Sequence, residues 1–261
     1  MEEDQVVARL RAAGCVFAEE EARLLGEAAR TPAGLEAMVG QREKGLPLEQ
    51  VVGWADFCGL RIFVDPGVFV PRRRSEFLVA TAVSLASGAS PVIVDLCCGT
   101  GALGLAVAAR LAAAGRAAGL HAADIDPAAG GCARRNVEPA GGRVYQGDLF
   151  APLPAELRGR VTVLICNAPY VPTGDIALLP PEARDYEPRT ALDGGSDGLA
   201  VLRRAAAEAP RWLAPGGVLL VETSDPQAPL MTRVMTAAGL TGRVHRCAEY
   251  ESTVVTGTAP E

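Results

Sequence analysis

The sequence predicts an α/β fold: a mainly parallel sheet covered by helices on both faces, preceded by a small helical domain and a β-hairpin linker. Two observations carry this. From residue 76 onward, apolar strand-like runs alternate with stretches of helical period, as in repeated β–α units. Before that, the apolar spacing is helical and gives way to a loosely alternating run rich in turn residues. The 261 residues suffice for one medium domain plus a small one. The expected boundaries are 1–55 for the helical domain, 56–75 for the hairpin linker and 76–261 for the α/β domain.

Each element follows from local pattern. Val6, Val7, Leu10 and Cys15, then Ala22, Leu24, Leu25 and Ala28, fall at roughly helical spacing. Thr31-Pro32 starts a third helix, because Thr can cap and Pro suits the first helical position. Gly45-Leu46-Pro47 turns into a short segment ending near Gly53. Phe57 to Val70 reads as the hairpin, with Gly59 and Asp65-Pro66-Gly67 as turns. Strands are expected at 91–96, 119–124, 143–146, 161–166, 216–222, 241–247 and 251–256. Helices are expected near 76–87, 102–114, 127–137, 198–212 and 226–238. Residues 167–197 show no convincing regular element, and so long a loop in a compact domain marks function or disorder.

Composition narrows the function classes. A net charge of −6 argues against nonspecific nucleic-acid binding, which needs a basic footprint. The run Arg72-Arg73-Arg74 reads equally as a basic patch or a solvated turn. Seven Cys, an odd count without any C-x-x-C pair, argue against a disulfide framework or a zinc site, so no metal is expected and a reducing cytoplasm fits. The start Met1-Glu2-Glu3-Asp4 lacks a basic signal region, and no apolar run is long enough for a membrane span. Only His121 and His245 are present, which favours chemistry that needs no strong base.

The first α/β unit carries a candidate ligand site. Val92 to Leu96 is a buried strand, Cys97-Cys98-Gly99-Thr100-Gly101 a Gly-rich turn, and Ala102 a helix start. Gly99 and Gly101 let backbone approach a ligand and take positive φ. Asp95 near the strand end repels phosphate and favours an amino-bearing or cationic ligand, a description that S-adenosylmethionine meets with its sulfonium and α-amino groups. Asp124, at the end of the second strand, is placed to accept from ribose hydroxyls, while Asp126 caps the helix from Pro127. After the third strand, Asp148 is a candidate acceptor for an adenine amino group, with Leu149 against the ring; its alternative is an ordinary turn Asp. Asn167-Ala168-Pro169-Tyr170 follows the fourth strand, where open α/β sheets place ligands, and joins an amide, a proline-held turn and an aromatic ring. Such a group can hold a planar nitrogen.

With these residues the chain resembles the Rossmann-like class I S-adenosylmethionine-dependent methyltransferases. More narrowly it resembles the HemK-like (PrmC-like) protein-(glutamine-N5) methyltransferases. The resemblance spans nearly the whole chain: Gly45 to Gly53 with Phe57 and Gly59, Phe69 to Glu76, Glu187 to Leu199, and Gly216 to Glu222 with Gln227. It implies a cofactor site of Asp95, Cys97, Gly99, Thr100, Gly101, Asp124, Ile125, Asp148, Leu149 and Asn167. It implies catalysis at Asn167, Ala168, Pro169 and Tyr170, with Glu187 joining them in holding substrate. The implied substrate is a glutamine in a peptide release factor, or a ribosomal protein in some relatives. Three positions depart from the family pattern: Ala168 replaces a proline, Arg73-Arg74-Ser75 replaces Pro-Glu-Thr, and Thr223-Ser224 replaces Ile-Gly.

For a poorly nucleophilic amide nitrogen, the expected work of the protein is alignment and relief of developing positive charge. Asn167 Oδ1 is the candidate acceptor for one amide N–H and the Ala168 carbonyl for the other. Tyr170 is placed to pack on the amide plane. Three other readings compete: N-methylation of an exocyclic amine on DNA or RNA, which needs a basic base-flipping surface; a non-catalytic cofactor- or partner-binding protein; and a nicotinamide dehydrogenase, weakened by Asp95. The charge and the helical first domain favour a protein substrate and a cytoplasmic enzyme, with a monomer as the default.

Overall fold

The computed structural model describes residues 2–261. Four helices come first: α1 (Glu3–Ala12), α2 (Ala18–Ala28), α3 (Pro32–Glu43) and α4 (Leu48–Val52). They bury Val6, Leu10, Ala22, Leu25 and Val39 together. Thr31 Oγ1 accepts from the Gly34 N–H at 3.0 Å, the expected cap. Arg42 is buried in this layer, donating to Glu21 at 2.7 and 3.2 Å and to the Leu46 carbonyl at 2.6 Å. A buried charge is tolerated when it is paired and hydrogen-bonded in this way.

The hairpin lies earlier than the alternation suggested. β1 (Trp54–Phe57) pairs antiparallel with β2 (Leu60–Phe63), and Cys58-Gly59, both at positive φ, is its two-residue turn. Residues 64–75 form an irregular strap instead of a returning strand. Their alternation is real, but it buries Val64 and Val70 against Ala55 and Val68 against Ala129 and Cys132, and past the Val64 N–H, which donates to the Gly53 carbonyl at 3.0 Å, no strand forms.

The second layer system follows as α5 (Glu76–Leu85), β3 (Val92–Leu96), α6 (Ala102–Ala113), β4 (Gly119–Asp124), α7 (Pro127–Val137), β5 (Arg143–Gln146), β6 (Val161–Cys166), α8 (Pro181–Tyr186), α9 (Arg189–Leu192), α10 (Ala200–Glu208), β7 (Leu213–Thr223), α11 (Ala228–Ala237), β8 (Thr241–Cys247) and β9 (Ser252–Thr258). The sheet order is β5-β4-β3-β6-β7-β9-β8; β9 is antiparallel to both neighbours and the other pairs are parallel. Central strands are apolar on both faces: Ile93, Val163 and Ile165 enter one core, Val94, Leu164 and Cys166 the other.

Strand order reverses between β3 and β6, the topological switch point where such sheets bind ligands. Register puts Leu96 opposite both Ala123 and Cys166, and Asp124 opposite Gln146. The ends of β3, β4, β5 and β6 therefore open onto one edge.

Several elements differ from expectation, and three differences have a local reason. β7 begins at Leu213, not 216, because Pro215-Gly216 reads as a turn yet continues the strand across a register shift opposite Val161–Val163. The expected helix to 212 ends at Glu208 and tightens into a 3-10 turn over Ala209–Arg211. Residues 167–197 contain a 3-10 segment (Thr173–Leu178), α8 and α9, pieces too short to show a helical period. This segment reaches back to the first layer: Glu182 pairs with Arg42 at 2.8 Å and the Tyr186 hydroxyl donates to the Lys44 carbonyl. Among the described residues, no helix is long and apolar enough to cross a membrane.

Candidate active site

A cavity of about 560 Å³ opens at the carboxyl ends of β3, β4 and β6, within the range typical of small-molecule sites. Asp95, Cys97, Gly99, Thr100, Asp124, Ile125, Asp148, Leu149 and Asn167 to Tyr170 all line it. Residues from about 67 to 75 of the strap and 188 to 193 of the long segment close it. Gly101 and Glu187 lie outside the lining.

At the β3 end the backbone shapes the site. Gly99 and Gly101 have φ of 55° and 77°, and Cys97 takes φ 54° without being glycine. Left-handed conformation in such a residue is strain of a kind that concentrates at functional sites. A Cβ on Gly101 would stand 2.6 Å from Val137 Cγ2, so this glycine seats the turn against α7. Asp95 is fully buried beneath the turn, and its Oδ2 accepts the Gly104 N–H at 2.8 Å. Burial pushes its pKa up to about 7; the Gly104 bond opposes this and the nearby Asp124 charge adds to it.

Asp124 accepts from the Gly99 N–H at 2.8 Å and the Asp126 N–H at 2.9 Å, and its pKa is raised, chiefly by burial. Asp126 caps α7 through the Ala128 N–H at 2.8 Å. Ile125 is exposed at the cavity rim. Leu149 is buried at φ 48°, and Asp148 makes an ion pair with Arg204 of α10. In the conformation seen, Arg204 competes for the carboxylate that sequence reasoning gave to an adenine amino group.

At the β6 end, distant segments make the site. Asn167 Nδ2 lies 3.5 Å from Ser75 Oγ, a long contact that leaves Oδ1 as an acceptor. Ala168 is buried. The Tyr170 hydroxyl donates to Glu222 Oε1 at 2.9 Å, and Arg74 Nε donates to the same oxygen at 3.0 Å while its guanidinium stands 5.7 Å from the Tyr170 ring centroid. Burial raises the Tyr170 pKa, the Glu222 carboxylate adds to it and Arg74 opposes it, so the phenol stays protonated. Gln227 Nε2 bridges the carbonyls of Tyr170 and Asp197, both at 2.9 Å. A Cβ on Gly198 would stand 2.2 Å from both the Tyr170 carbonyl and Gln227, and one on Gly194 would stand 2.7 Å from the Pro169 carbonyl. The Gly194–Gly198 segment is thus the backing plate of the Asn167–Tyr170 loop.

Glu187 anchors the strap, accepting from the Val70 N–H at 3.2 Å and pairing with Arg72 at 2.6 Å. Two of the three consecutive arginines therefore bind buried carboxylates, which is neither of the two readings the run suggested. Sequence reasoning missed Arg74, Ser75 and Glu222 as site residues. The Glu222…Gln227 spacing was the available signal; Arg74 had none, because its partner is 148 residues away.

Carboxylates of Asp95 and Asp124 for amino and hydroxyl groups, apolar Leu103, Ile125 and Leu149 for a ring, and a glycine turn admitting close backbone approach fit S-adenosylmethionine. Fold and site together define a class I S-adenosylmethionine-dependent methyltransferase. The profile of the methyltransferase small domain matches residues 59–178. A Pyrococcus furiosus methyltransferase of known structure superposes with a TM-score of 0.55 at 16% identity, covering 78% of this chain and 90% of its own. The release factor glutamine methyltransferase of Geobacter sulfurreducens is 39% identical, over 79% of this chain and 71% of its own. That of Mycolicibacterium smegmatis is 43% identical, over 74% and 67%. A 4-amino-L-phenylalanine/4-methylamino-L-phenylalanine methyltransferase of Streptomyces pristinaespiralis is 36% identical, over 74% and 66%. The chain belongs to the release factor glutamine methyltransferase family.

Proposed function

We propose that this protein methylates the side-chain amide nitrogen of a glutamine in a peptide chain release factor, acting as a cytoplasmic monomer. The carrying observation is the Asn167–Tyr170 loop at the cavity, with the Asn167 amide oxygen open as an acceptor, in a chain of this family. S-adenosylmethionine, when bound, supplies an electrophilic methyl on a sulfonium. Asp95, Asp124 and the Cys97–Gly101 turn are the residues that hold it.

The acceptor amide has a delocalised lone pair and needs positioning more than deprotonation. Asn167 Oδ1 and the Ala168 carbonyl accept its two N–H groups, so the nitrogen faces the cofactor and the charge growing on it meets two fixed dipoles; one of the two protons leaves to water once the methyl is on nitrogen. Orientation of this kind contributes on the order of 7–11 kcal/mol. Glu222, by fixing the Tyr170 hydroxyl, sets the ring that flanks the amide. Neither histidine lines the cavity, in keeping with a mechanism without a strong base.

Incubation with labelled S-adenosylmethionine and purified release factors, followed by mass spectrometry, tests the reading. One added methylene on a glutamine is the expected product; label on nucleic acid, or on no release factor, would overturn it. The Streptomyces pristinaespiralis relative makes 4-amino-L-phenylalanine the natural second acceptor to include.

A further inference from the structure

A second cavity of about 260 Å³ shares Arg74 and Tyr170 in its lining with the first. Its size is below that of a typical small-molecule site and suits the end of one side chain. Two buried polar atoms at this cavity lack hydrogen-bond partners: Glu222 Oε2 and Ser252 Oγ, in residues 2% and 4% exposed. Glu222 Oε1 already serves Tyr170 and Arg74, so the unpaired oxygen is the one left over. An unpartnered buried carboxylate oxygen is costly, which points to a donor arriving with a ligand.

The charges give the sign of that donor. Glu222, Asp225 and Glu251 face a single cation, Arg74, whose guanidinium is committed to Glu222. Arg246 neutralises Asp225 from outside at 2.6 Å, which leaves Glu251 in excess. We infer that this second cavity is a cation subsite: it receives the guanidinium or ammonium of an arginine or lysine flanking the acceptor residue in the substrate polypeptide. The inference rests on the polypeptide reading above, extending it from the acceptor amide to its neighbour in the chain.

The first test needs no substrate. Ligand-observed NMR compares n-butylguanidinium with its neutral analogue n-butylurea on the wild-type protein and on Ser252→Lys, which places a tethered ammonium beside Glu222. The expected result is retention of the guanidinium alone, lost in the variant while S-adenosylmethionine affinity is kept. Equal behaviour of both probes, or retention of neither, overturns the subsite. The wild-type comparison stands even where the variant fails to fold. The second arm uses glutamine peptides carrying one arginine at successive flanking positions, each paired with its citrulline counterpart. At one register arginine should lower KM about tenfold in wild type and not in Ser252→Lys. Methylation with no register preferring arginine overturns the subsite and leaves the glutamine reading standing. Guanidinium binding without methylation of any peptide or release factor overturns the glutamine reading instead.

Discussion

The two ends of the cavity are built differently. At the cofactor end, Asp95, Cys97, Gly99, Gly101 and Gly104 lie within ten residues, and backbone conformation does most of the shaping. At the acceptor end, Asn167 to Tyr170 is held by Ser75, Arg74, Gly194, Gly198, Glu222 and Gln227, drawn from four separate stretches. The turn after β3 supplies most of the cofactor end by itself, with Asp124 and Leu149 joining from the next two strand ends. A site made by convergence can change its acceptor when any of several distant segments drifts.

Asp95 and Asn167 probe the two ends most directly. Asp95 keeps a proton in the folded state up to about pH 7, whereas its ordinary value is 3.8. The unfolded chain releases that proton first, so the cofactor-free protein should lose stability as pH rises between these values, by roughly 4 kcal/mol. Urea unfolding across that window measures it, and Asp95→Asn should flatten the profile; an unchanged slope would place the titration elsewhere. At the other end, Asn167→Ala should lower kcat about 100-fold, as for loss of one charge-stabilising partner, with a much smaller loss of cofactor affinity. Calorimetry beside single-turnover kinetics separates the two, and near-normal turnover would remove Asn167 from the chemistry.

Smaller changes sharpen it. Gly198→Ala sets a Cβ against the Tyr170 carbonyl and Gln227 at a φ of 77°, and should cost about 1–3 kcal/mol of stability while lowering kcat/KM for the acceptor more than cofactor affinity. Unaltered acceptor kinetics would mean that the backing segment does not set the loop. Tyr170→Phe leaves Glu222 Oε1 with Arg74 alone and should raise acceptor KM severalfold, since a hydrogen bond to a charged group contributes about 1.5–3 kcal/mol, part of which Arg74 retains. Ala168→Pro should do least: the proposed acceptor is a main-chain carbonyl that both residues possess, so the expected gain is about 0.4–1 kcal/mol in melting experiments with kcat almost unchanged. A large loss of turnover would show that alanine is required here.

Legibility followed the same division. The strand at 161–166 was readable because an apolar run bounded by turns announces itself locally, and the more polar strands at 119–124, 143–146 and 241–247 were readable from their place in the alternation with helices. The hairpin was displaced because Val64, Val68 and Val70 alternate for burial in separate small clusters and not for pairing. The helices within 167–197 escaped because four or six residues cannot display a period of 3.6.

The α/β alternation, the acid-and-glycine turn after β3, and the Asn167–Tyr170 loop at a strand end are all written along the chain. These are short-range features, set by hydrophobic period and by the φ values that only certain residues tolerate. Who holds whom emerges only when the chain is folded: Arg74 on Glu222 and beside the Tyr170 ring, Arg72 on Glu187, Gln227 across Tyr170 and Asp197, and Arg204 on Asp148. Pairing across thirty residues or more depends on where packed strands and helices bring their ends, and no local pattern along the chain encodes that.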